Sequence, residues 1–127
     1  MTCYHLYGDA AGDTHVAPID LPVHDSFAGT VRGLHDIRAT TAGFGEFIER
    51  KPDVGVHQAP RRQLLVVLQG ELEIRTTLDD VHRLHPGDLL LADDVGSTGH
   101  ISRDVGEAPL MLLAVGIDDG WASPDVS

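Results

Sequence analysis

The chain has 127 residues, 42% of them hydrophobic, and a formal net charge of −11 from 9 Lys and Arg against 20 Asp and Glu. That length suits one domain with a core of its own and leaves no room for a second. So acidic a surface repels phosphate backbones and anionic lipid, so neither nucleic acid nor a membrane is expected as a partner. The single cysteine, Cys3, excludes an internal disulfide. The first twenty residues lack the basic and apolar stretches of a secretory signal, and no apolar run nears the ~18 residues of a membrane span. A cytoplasmic location is therefore expected.

Fourteen Gly and seven Pro interrupt the chain, and no segment keeps the apolar i, i+3, i+4, i+7 spacing of a helix. Short β-like runs between turns predict an all-β fold. In chain order, strands are expected over residues 3–7, 14–21, 31–37, 41–49, 62–69, 71–77, 81–84, 88–92, 99–103 and 110–117. Residues 8–13 read as a loop. Residues 118–127 read as a polar tail, in which Trp121 either docks on the fold or a partner chain or stands in solvent.

The strand patterns differ from one another. Glu71-Leu72-Glu73-Ile74-Arg75 alternates, which directs Leu72 and Ile74 to a core and the charges to water. Residues 64–68 and 110–115 are apolar at successive positions and need cover on both faces. A second layer or a partner subunit would supply it, and a homodimer is expected.

Function concentrates between His57 and His100. These two histidines bound a strand-rich stretch punctuated by Gly70, Pro86-Gly87 and Gly96-Ser97-Thr98-Gly99. That pattern suggests imidazoles facing the cavity of a small β-barrel. The spacing resembles the cupin superfamily, whose first motif sets a His, a second His two residues on, a Glu four further and a Gly seven later. Here those positions hold His57, Ala59, Gln63 and Gly70; the second motif's Pro-Gly-Asp turn and final His are Pro86-Gly87-Asp88 and His100. His57-Gln58-Ala59-Pro60-Arg61-Arg62-Gln63 is similar to the HxAPRRQ segment of small single-domain bacterial cupins, and residues 94–100 to their late glycine-rich segment ending in His.

The resemblance covers roughly residues 41–115. It implies a double-stranded β-helix, the cupin jelly-roll barrel, with its core over 41–117, N-terminal strands over 1–40 and a tail over 118–127. It also implies a pocket for a small-molecule substrate. It does not fix the reaction, because one barrel hosts many chemistries.

The departures from the family pattern bear on chemistry. The usual metal set is three His and one Glu. Ala59 replaces the second His and Gln63 the Glu, which leaves His57, Gln63 and His100 as a neutral and weak set for a divalent metal. No cofactor is therefore expected, beyond weak metal binding at those three residues. Glu46 on the 41–49 strand could add an acid, or could instead pair with Arg50 or Lys51 at the surface.

Without a metal, His57 and His100 suit acid–base catalysis, since imidazole titrates near neutrality. Gln63 would orient a carbonyl or hydroxyl group. Arg61 would stabilise an oxyanion, and one of Arg61 and Arg62 would recognise a carboxylate or phenolate or instead form a salt bridge with Asp93 or Asp94. His35 could line the pocket wall. Substrate binding is thus assigned to Gln63, Arg61, Glu46 and His35. His5, His15 and His24 share no spacing and read as surface residues, and Asp93-Asp94 could cap the glycine-rich turn. The expected function is a cyclase, isomerase or lyase acting on a small and possibly secondary metabolite. A metal-dependent dioxygenase and a non-catalytic ligand-binding cupin are the alternatives.

Overall fold

The computed structural model describes residues 3–34, 36–49 and 55–121. These form β1 (Cys3–Gly8), β2 (Thr14–Pro18), β3 (Val23–Ser26), β4 (Val31–Leu34), β5 (Ala39–Glu46), β6 (Val56–His57), β7 (Gln63–Gln69), β8 (Leu72–Arg75), β9 (Val81–Leu84), β10 (Leu89–Asp93), β11 (His100–Asp104) and β12 (Met111–Ile117). A six-stranded sheet runs β2-β1-β10-β7-β12-β5, a four-stranded sheet runs β6-β11-β8-β9, and β3-β4 form a hairpin. Every pairing is antiparallel except that of β1 with β10. The fold is all-β and jelly-roll-like, with two sheets facing across a core rather than one closed ladder. Among the described residues, no helix is long and apolar enough to cross a membrane.

The period of two explains both faces of the large sheet. Leu65 and Val67 of β7 turn inward with Leu90 of β10, Leu6 of β1 and Leu112 of β12, to meet Leu72 and Ile74 of the small sheet. Leu64, Leu89 and Leu91 turn the other way and form a second core with Cys3, Ile117 and Trp121. Ile19, Leu21, Leu34 and Ile37 pack over that second core. The cover required by the doubly apolar strands is therefore a layer supplied within the chain. Trp121 docks there, with 6% of its surface exposed.

Burial pushes the Cys3 thiol in this layer up to about 11, against weaker hydrogen bonds from the Leu91 and Tyr4 backbone.

Three expectations need correction. Residues 14–21 do not form one strand, because pairing with β1 ends at Pro18, whose ring nitrogen has no proton to donate. Glu73 does not face open water: cross-strand Arg83 and Arg103 lie 3.3 and 3.2 Å from its carboxylate and leave it 3% exposed. His5 is not a surface residue; it is 1% exposed and bonded to Asp93.

Candidate functional site

A cavity of about 400 Å³ lies between the two sheets, a size suited to a small organic molecule. Its wall is largely apolar, from Leu6, Leu65, Leu72, Ile74 and Leu90 with Phe44 and Phe47 at its border. His57, Gln63, His100 and Ser102 supply the polar side chains. Three of the residues expected in a pocket are thus brought together.

The two histidines meet because β6 pairs with β11 and places His57 opposite His100. Their ring centroids are 4.5 Å apart with the planes tilted at 55°. The glycine-rich turn makes this pairing possible. Gly99 has φ +103°, and a Cβ there would lie 2.7 Å from the His57 carbonyl oxygen, so a side chain is excluded by space and by backbone conformation. Gly96 N–H donates to Gln58 Oε1 at 2.8 Å, and Ser97 Oγ donates to the Asp94 carbonyl at 2.6 Å, which binds the turn to the segment that carries His57.

Hydrogen bonds also define the ring tautomers. His57 Nδ1 lies 2.9 Å from the Gly55 carbonyl, and His100 Nδ1 lies 2.6 Å from Asp94 Oδ2. A carbonyl oxygen and a carboxylate can only accept, so each Nδ1 carries the proton and donates it. In the neutral rings, each Nε2 is then an unprotonated acceptor.

Asp94 is fully buried. Its second oxygen accepts from the Ala59 backbone N–H at 2.9 Å, so the residue standing where the family pattern has a His helps hold the carboxylate behind His100. Asp94 and Ser102 were not anticipated from the sequence as site residues. Ser102 follows His100 by two in β11 and so shares its face. For Asp94, spacing shows an acid beside a glycine-rich turn but not the ring it points to.

Strand register accounts for the open side of the cavity. Leu112 and Ala114 line it and stand opposite Gly45 and Gly43 of β5, and cross-strand partners share a face. A Cβ added at either glycine would meet nothing within 4 Å. The cavity thus owes part of its space to two absent side chains.

The same register corrects the reading of Glu46. It pairs with Met111, is exposed and is not part of the cavity wall. It alternates with Gly45, so it belongs to the other face of β5. Arg50 and Lys51, its expected surface partners, lie outside the described residues, as does His35, the expected wall residue.

The arginine pair divides its roles. Arg62, not Arg61, takes the carboxylate: its Nε lies 3.2 Å from Asp93 Oδ1. The salt bridge expected from one arginine of the pair to Asp93 or Asp94 thus forms at Arg62, and Asp94 is committed instead to His100. Arg61 is outside the cavity wall and donates from Nη1 to Thr41 Oγ1 at 3.1 Å. Burial pushes the Asp93 carboxyl up, but the His5 hydrogen bond and the Arg62 charge outweigh it and hold Asp93 below the usual carboxylate range.

Among the described residues, no three or more His, Cys, Asp and Glu side chains are grouped to hold a metal ion. The donors at the cavity are two imidazoles and an amide. They do not fit the charge and ligand number that a tightly held divalent metal requires.

The comparison with models of known protein families found no match. The comparison with curated proteins found none either.

Proposed function

We propose that this chain is a small-molecule enzyme of the cupin type that moves a proton between two positions of one substrate, by isomerisation, cyclisation or dehydration. One observation carries the reading: the imidazole of His100 lines an apolar cavity while a fully buried carboxylate, Asp94, holds its Nδ1, which leaves Nε2 as the acceptor of the neutral ring. In this mechanism His100 Nε2 accepts a proton from a C–H or O–H of the substrate. Asp94 balances the positive charge on the ring and fixes its orientation. The Gln63 amide N–H donates to the carbonyl oxygen where negative charge gathers. His57, with its own Nε2 free and its ring beside that of His100, relays the proton to the second position. No step uses a metal.

Incubating the protein in deuterated water with a panel of small enolisable ketones and β-dicarbonyl compounds tests this directly. The expected result is C–H to C–D exchange in at least one member, slowed at least about a hundredfold by His100→Gln. Exchange that His100→Gln leaves unchanged, or a ligand held without any exchange, would count against an enzyme and for a carrier.

The proposal includes a homodimer. With the second core covered from within the chain, the remaining support is the exposed apolar surface at the free edge of the large sheet, where Phe44 and Ile48 are 76% and 93% exposed. Sedimentation equilibrium would give twice the chain mass if the dimer forms.

A further inference from the structure

We infer that the site has a second compartment, an anion-binding hollow at Arg61 that extends the cavity and selects apolar ligands carrying one carboxylate. The inference rests on the cavity being the ligand site, as proposed above.

The hollow measures about 220 Å³ and is bounded by Thr41 and Arg61. Gly43, Pro60, Gln63 and Ala114 line it and the main cavity alike, so the two spaces share a border. A side chain at Gly43 would stand in that border, and its absence leaves the way open. Gln63, which faces the reacting end of the cavity, is thereby also a neighbour of Arg61.

Arg61 is exposed to solvent, but its guanidinium is tethered. Its Nη1 donates to Thr41 Oγ1 at 3.1 Å. Its stem crosses Gly116, where an added Cβ would come within 3.2 Å of Arg61 Cδ and would collide with Thr41 Oγ1. Glycine at 116 therefore lets the Arg61 stem and the Thr41 hydroxyl come together.

Charge identifies the ligand group. Arg32, Arg62, Arg75, Arg83 and Arg103 each lie within ion-pair distance of a carboxylate. Arg38 and Arg61 have no such partner among the described residues, and of the two only Arg61 borders either compartment. Among the described residues, no Asp or Glu lines either compartment. One of five guanidinium N–H donors is used by Thr41, and the remaining fork matches the two oxygens of a carboxylate. A single cation balances a single negative charge, which favours a carboxylate over a phosphate dianion. The ligand class is thus an aromatic or alicyclic acid, with its apolar body in the cavity and its carboxylate at Arg61.

Calorimetric titration with 3-phenylpropanoate and with its amide, on wild-type protein and Arg61→Gln, tests the inference. The acid should bind wild type about tenfold more tightly than the amide, and Arg61→Gln should erase the difference while leaving amide affinity unchanged. Equal affinities in wild type, or a preference that survives Arg61→Gln, would overturn the hollow. Gly45→Leu separates the two readings, because it fills the main cavity without touching Arg61. Loss of amide binding in that variant supports the cavity as the ligand site, whereas unchanged amide binding removes the cavity and the hollow together. Failure of both compounds to bind wild type would also contradict both.

Discussion

Asp93 and Asp94 are neighbours in sequence, and each holds a histidine, but they do so on opposite sides of the large sheet. Asp94 turns toward the cavity, is fully buried and bonds His100 at 2.6 Å. Asp93 turns toward the second core side and bonds His5 at 3.0 Å. On the Asp93 side, Arg62 already balances the carboxylate, and His5 is closed over at 1% exposure and stacked on Tyr7. Arg62 also donates to the carbonyl oxygens of Asp118 and Trp121, so this pair anchors the docked end of the described chain. On the Asp94 side no arginine among the described residues shares the charge, and the ring of His100 lines the cavity. An imidazole–carboxylate pair is therefore not a site by itself. What distinguishes the two is a free ring nitrogen with room for a ligand beside it, and a carboxylate that no fixed cation has satisfied.

Substitutions at the two aspartates should separate these roles. The largest effect is expected from Asp94→Ala, which leaves the Ala59 N–H and the His100 Nδ1–H buried without a partner. Urea denaturation should show a loss of about 3 kcal/mol. Asp93→Asn keeps an acceptor for His5 but removes the carboxylate charge beside the buried Arg62, and about 2 kcal/mol should be lost. That variant should also shift Trp121 emission to the red, while His100 keeps its resonances. Trp121 is the chain's only tryptophan, so the signal reports on this layer alone.

Acid should act on the same pair. The Asp93 carboxyl is held below its ordinary value in the folded state, so its contribution to stability is complete above the ordinary carboxylate range, near ~3.9. That contribution disappears as pH falls through the lowered folded value. A Trp121 emission change that set in already at pH 6 would contradict this sign. The smallest effect on stability is expected from Gly45→Leu, which enters open space on an edge strand and should change unfolding free energy by less than about 1 kcal/mol.

The sequence reading found most of this architecture because alternation and turn residues are local signals. The strand over 81–84 is β9 to the residue, and the remaining nine expected strands each overlap an observed one. It missed β3 and β6. The polar His24-Asp25-Ser26 run disguises the first, and two residues are too few for any period in the second. His57, Gln63 and His100 were found because their spacing resembles a known motif. A salt bridge from one of the two arginines to Asp93 or Asp94 was legible, but not which arginine makes it, nor the places of Asp94 and His5, because the direction of a side chain at the end of a strand depends on its cross-sheet neighbours. Parity along 41–49 places Phe44, Glu46 and Ile48 on one face, but only the register with β12 sets Gly43 and Gly45 opposite the cavity-lining Ala114 and Leu112, with Phe44 at the cavity border and Glu46 outside it.

The most direct test of the central claim is the long-range proton–nitrogen NMR spectrum of the histidine side chains, in wild type and in Asp94→Asn. Neutral His100 is expected to carry its proton on Nδ1 in wild type. In the variant, the asparagine should keep its oxygen on the Ala59 N–H and turn its amide toward the ring, moving the proton to Nε2. A wild-type His100 already protonated at Nε2, or a tautomer that Asp94→Asn leaves unchanged, would contradict it.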